Sequence, residues 1–133
     1  MDELVQWLRV QIAQDERIAR AAGGAAWEEL PVSGWVHTSA LPDTEWLPPG
    51  YDHHVASAPL PVDRAHIVEH DPARVLREID AKRQIVALHS DPRGGDPSCS
   101  SLDYPENAED CETLRALALP YADRPGYRDD WRP

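Results

Sequence analysis

Residues 3 to 22 carry a one-sided pattern that sets the first packing rule for this chain. At about 100° per residue, Leu4, Val5, Trp7, Leu8, Ile12, Ile18, Ala19 and Ala22 fall on one side of a helix. Glu3, Gln6, Arg9, Glu16, Arg17 and Arg20 fall on the other. Asp2 is placed to cap the first turn, and Gly23-Gly24 ends the helix. A helix of this kind holds its shape by burying its stripe against another element. Asp15, with Gln11 beside it, interrupts the stripe.

The element best suited to receive it begins at Asp71-Pro72, a cap followed by a first-turn proline, and runs to about His89. Val75, Leu76, Ile79, Val86 and Ala87 share a face there, while Ala81, Ile85 and Leu88 make a smaller strip behind it, so this helix is expected to be central. Arg83 projects from within the main stripe. Asp15 and Arg83 therefore form a candidate structural ion pair, since two interrupted stripes that meet would bring carboxylate and guanidinium together.

Prolines 31, 42, 48, 49 and 59 forbid a long helix between residues 25 and 60, where only Gly34–Ser39 and Asp52–Ala58 resemble strands. This predicts a two-stranded hairpin with a long loop. Trp27, Trp35, Trp46 and Tyr51 are expected to cover its inner face, and an exposed aromatic among them would mark an interaction site. Asp63–His70 reads as a short helix, Ser90–Asp110 as a loop, and Asp110 as the cap of another short helix that Pro120 kinks or restarts. Tyr121, Tyr127 and Trp131 are enough to pin the tail onto the body.

The 133 residues suffice for one domain, and no internal repeat divides them. Leu, Ile and Val together number only 26, Phe is absent and the net charge is −11, a composition near the limit for folding. A small core with long irregular acidic segments, 39–52 and 91–110, is therefore expected, with five Trp residues offsetting part of the deficit. Acids outnumber bases 24 to 13, which argues against direct nucleic-acid binding and against an anionic membrane, because both need clustered cations. A basic protein partner fits the charge. No apolar run is long enough to span a bilayer and Met1-Asp2-Glu3 lacks a cationic start, so a cytoplasmic protein with reduced thiols is expected.

Few constellations could carry chemistry. His66 and His70, four residues apart on a helix, put two imidazoles within reach of one metal ion, with a third donor needed from Asp71, Asp15, His89 or a thiol. The alternative is that His66 lies at the helix surface and His70 shapes the turn before Asp71-Pro72. His89, Cys99 and Cys111 resemble a zinc loop that lacks a ligand, although no Cys-x-x-Cys pair is present and unconnected small residues account for the cysteines equally well. His53-His54 sits in a strand that sends neighbouring side chains to opposite faces. No phosphate loop, nucleophile elbow, His-Glu-x-x-His helix or calcium loop occurs, and Arg93-Gly-Gly-Asp96 is a turn.

Asp15-Glu16-Arg17, the stretch from His66 through His70-Asp-Pro-Ala-Arg to Arg83, Cys111-Glu-Thr-Leu-Arg115 and the tail Leu119-Pro-Tyr to Trp131 form a distinctive set. Together they resemble a family of small acidic actinobacterial and actinophage proteins known only as a domain of unknown function. The resemblance implies a host group and supplies no chemistry.

The expected fold is α+β: an amino-terminal helix on a long central helix, a small hairpin between them, and a short carboxy-terminal helix with an aromatic tail. The expected function is that of a non-enzymatic accessory or interaction protein with a basic protein partner and no cofactor. The first alternative is a metal (zinc)-binding protein centred on His66 and His70, with hydrolysis as one use of the metal. The second is an acidic DNA mimic, which requires carboxylates in phosphate-like rows on rigid elements.

Overall fold

The computed structural model describes residues 3–30, 32–90 and 110–133. In chain order it contains α1 (Glu3–Ala21), β1 (Trp27–Leu30), β2 (Trp35–Thr38), β3 (His54–Ser57), α2 (Pro61–Glu69), α3 (Pro72–His89) and α4 (Glu112–Ala118). Short 3-10 turns follow at Leu119–Tyr121 and Asp129–Trp131. The fold is α+β. Its residues gather into two compact units, a terminal unit of Met1–Gln14 with Asp80–Pro133 and a sheet unit of Asp15–Ile79, and both α1 and α3 contribute to each. The expected loop lies, for 91–109, outside the described residues.

In the sheet unit three antiparallel strands run in the order β1-β2-β3, one more than the expected hairpin. The missed strand, Trp-Glu-Glu-Leu, carries two consecutive acids and so lacks the alternation that marks a half-buried strand. Register pairs Trp27 with Thr38 and Glu29 with Val36, and Val36 with Ala56 on the third strand. Directly paired residues share a face, so this is the inner face, where Val36 and Thr38 are buried. Trp35, His37, His54 and Ser57 occupy the outer face, because the register slips between Val36 and His37 and leaves Val55 as the extra residue.

The expected aromatic cover of the hairpin is accordingly corrected. Trp35 points outward and is 38% exposed, Trp46 is 68% exposed, and Trp27 and Tyr51 are only half-buried. Helix α2 closes the inner face instead, with Arg64 buried against it. The core here is small: Ala19, Val36, Ala58 and Ile79 are its buried apolar members.

In the terminal unit the first half of α1 packs beside the second half of α3. Leu4, Val5, Leu8 and Ile12 are buried, together with Val86, Leu114, Ala118, Tyr121 and Trp131. Trp7 meets the tail: its ring packs against Tyr121, Tyr127 and Trp131 with centroids 6.3, 5.6 and 5.5 Å away, and its Nε1–H donates to Pro125 O at 3.1 Å. The aromatic tail is thus pinned as its spacing requires. Two expectations for the helices need correction. Ile18 is 58% exposed despite its place in the stripe, and the second strip of α3 is largely open, with Ala81 and Leu88 exposed, so this helix is not apolar-packed on two sides. At α4 the cap position falls on Cys111, while Asp110 lies one residue earlier and approaches Arg115 Nη2 at 3.6 Å.

Candidate functional site

Two polar anchors hold the sheet unit together. Asp71 is buried, and its Oδ1 accepts the Arg74 backbone N–H at 2.8 Å, which caps α3 as Asp71-Pro72 predicts. Its Oδ2 accepts the Trp27 N–H at 3.2 Å, tying β1 to the start of α3. Arg64 donates from Nε to Glu29 Oε1 at 2.8 Å and from Nη1 to the carbonyls of Ala58 and Pro59 at 2.7 and 3.1 Å. Three acceptors compensate the burial of its charge. Sequence reasoning missed Arg64, although it is the first base after Arg20 and could have been singled out on that ground.

The segment between β2 and β3 is fixed at its base and open at its tip. The Asp43 N–H donates to Ala21 O at 2.6 Å, satisfying a carbonyl at the end of α1. Gly23 accepts the close approach of this segment with φ at +98°, and a Cβ there would meet Leu41 O at 3.0 Å. Beyond Asp43, Thr44 Oγ1 donates to Trp46 O and accepts the Trp46 N–H, a local turn that presents the indole outward. Leu41, Trp46 and Leu47 are exposed, and Asp43, Glu45 and Asp52 of the same segment are exposed as well. No Lys or Arg occurs from residue 21 to residue 63.

The outer sheet face adds a second aromatic patch. Trp35 stacks on His37 with centroids 5.9 Å apart and meets His54 edge-on at 4.7 Å, and His37 and His54 face each other across the strands at 6.0 Å. His54 Nε2 also lies 3.1 Å from Ser57 Oγ. His53, in the left-handed region at φ +65°, turns instead to Tyr51, so the adjacent histidines have different neighbours.

The candidate metal residues separate into two groups. His66 and His70 are exposed, with ring centroids 4.3 Å apart. The His70 Nδ1–H donates to His66 O at 2.8 Å, and the His70 backbone N–H reaches Ile67 O, so this histidine closes the end of α2 and shapes the turn before Asp71. Asp71 has both carboxylate oxygens occupied. Among the described residues no group of three or more His, Cys, Asp or Glu side chains is gathered around a metal-sized space. His89 and Cys111 do come together, with Nδ1 and Sγ 3.6 Å apart. Cys99 lies outside the described residues.

Asp15 is half-buried and Arg83 exposed. Arg83 lines an open cavity of about 360 Å³ with Arg9, Ile12, Val86 and Ala87, and both arginines have further interactions. At the tail Arg128 binds Asp130 through two nitrogens, at 2.6 and 3.1 Å, and reaches Glu3 Oε2 at 2.6 Å. The hydrogen bonds from Arg128 hold the Asp130 carboxyl below the ordinary aspartate range, and those to Asp130 and Glu3 raise the guanidinium further.

These features define a small α+β protein with structural ion pairs, an exposed aromatic and acidic segment, and no motif of a known catalytic class among its described residues. A model of a family of unknown function, DUF6221, matches residues 1–133, and the chain belongs to that family. No curated protein and no solved structure matches it. Among the described residues no helix is long and apolar enough to cross a membrane.

Proposed function

We propose that this protein is a non-enzymatic interaction module that docks a basic protein segment onto residues 39–52. The observation that carries the reading is Trp46, 68% exposed at the tip of a segment whose base is hydrogen-bonded in place. Large exposed aromatics presented on a fixed turn are the usual anchors of protein interfaces. Charge selects the partner: Asp43, Glu45 and Asp52 are exposed in the same stretch of chain as Leu41, Trp46 and Leu47, and no Lys or Arg within residues 21–63 offsets them. The matching surface carries Lys or Arg around an apolar pocket that admits an indole. Trp35 is a second exposed aromatic, on the outer sheet face.

Affinity capture from the source organism tests this with three baits: the wild type, Trp46→Ser and the triple variant Asp43→Asn/Glu45→Gln/Asp52→Asn. A protein identified by mass spectrometry, retained by the wild type, lost on both variants and rebinding when purified supports the module. Partners retained equally by all three baits overturn it. A partner lost only when the acids are neutralised supports the DNA-mimic alternative, because a mimic needs its carboxylates and not the indole.

A further inference from the structure

We infer that the basic segment docked by residues 39–52, a reading on which this rests, lies in extended form along β3 as an added antiparallel strand hydrogen-bonded to the Ser57 backbone. The order β1-β2-β3 leaves the sheet two edges, and they differ. At the β1 edge the Trp27 N–H is taken by Asp71 Oδ2, Trp-Glu-Glu-Leu carries two adjacent acids, and α2 lies over the strand. An edge occupied in this way is closed to another chain. His-Val-Ala-Ser of β3 holds no Lys, Pro or acid.

The register shows what β3 offers. The Ala58 N–H donates to Gly34 O at 3.0 Å, Val36 pairs with Ala56, and Trp35 pairs with Ser57. Successive residues of an antiparallel ladder turn their N–H and C=O alternately toward and away from the neighbouring strand. Ala56 and Ala58 therefore bond toward β2, and Ser57 presents both backbone groups outward. Among the described residues nothing outside the sheet hydrogen-bonds to the Ser57 backbone. One residue of an added antiparallel strand satisfies both groups at once, and the extra residue at Val55 keeps the match short.

The occupant follows from charge. Asp52 leads into β3, Glu28 is exposed on the outer face in register with His37, and no Lys or Arg occurs from residue 21 to residue 63. An extended segment alternates its side chains, so one set continues the face of Glu28, Trp35, His37 and His54, where Lys or Arg meets a carboxylate and an indole. A second copy of this chain would instead bring one net charge of −11 against another.

A short peptide of alternating arginine and valine is the probe, and its control carries methyl groups on alternate backbone nitrogens, which keeps the charge and removes the bonding edge. Amide exchange of the full-length protein, read by NMR, should slow at Ser57 with the peptide and not with the control. Ser57→Pro deletes an N–H that faces away from β2 and should weaken the peptide about 3- to 10-fold, the net worth of one hydrogen bond. Ser57→Ala should bind as the wild type does. Exchange at Ala56 and Ala58 checks that β2–β3 pairing survives each change, and where Ser57→Pro disturbs it the methylated control decides. Equal binding of peptide and control, no slowing at Ser57, or full-strength binding by folded Ser57→Pro overturns strand addition. Protection of Ser57 that grows with protein concentration without peptide assigns the edge to a second copy and overturns it too. The docking reading fails separately, when captured partners stay on Trp46→Ser and on the acid-neutralised bait whatever the Ser57 amide does.

Discussion

Asp71 serves two elements with one carboxylate, capping α3 through Arg74 and holding β1 through Trp27. Replacing it by Ala removes a cap and leaves a strand N–H without its acceptor, so a loss of about 2 to 4 kcal/mol is expected in a denaturant melt. Its cap role is legible in Asp-Pro, but its bond to Trp27 is not, since nothing local links residues 27 and 71. Arg64 was hidden for a similar reason: an arginine can be buried only where acceptors converge, and the carbonyls of Ala58 and Pro59 are positioned by the fold. The Asp15–Arg83 pairing suggested by the helical stripes stands as a proposal. Because Arg83 is exposed, the coupling in a cycle of Asp15→Ala, Arg83→Ala and the double variant should be under about 1 kcal/mol, and strict additivity would exclude the pair.

The helices were the most legible elements and the strands the least. A helical stripe is repeated over several turns in α1, whereas β1, β2 and β3 have only four residues each, too few for alternation to stand out. The face on which Trp35 lies depends on which side of β2 packs inward, and the face His54 shares with Ser57 depends on the extra residue at Val55, and sequence alone fixes neither. The tail shows how a single glycine serves an element. Gly126 has φ at +86°, and a Cβ there would lie 2.9 Å from Trp7 Nε1, inside the contact that docks the aromatic tail on α1. Gly126→Ala should therefore cost at least about 1 to 3 kcal/mol from backbone strain, with the crowding of Trp7 added to it. Gly126→Asn tests the division: Asn tolerates the left-handed region but keeps the Cβ, so it should remain well below the wild type in a thermal melt.

The molecule combines a net charge of −11 with two compact units built on the same two helices. Since α1 and α3 supply residues to both, unfolding either unit frays a helix the other uses, and one cooperative transition is expected by far-ultraviolet dichroism and tryptophan fluorescence alike. Trp7 and Trp131 report the terminal unit and Trp27, Trp35 and Trp46 the sheet unit, so two separated midpoints would show independent domains. The acidic excess was plain in the composition, but where it becomes a surface was not, because that depends on the Asp43 bond to Ala21 and the turn at Thr44. The docking role of residues 39–52 can be read by hydroxyl-radical footprinting of the protein with and without its purified captured partner. Oxidation of Trp46 and Leu47 should fall several-fold in the complex while Val10 and Leu88, exposed in the terminal unit, stay unchanged. Trp46 oxidised as fast in the complex as in the protein alone would contradict it.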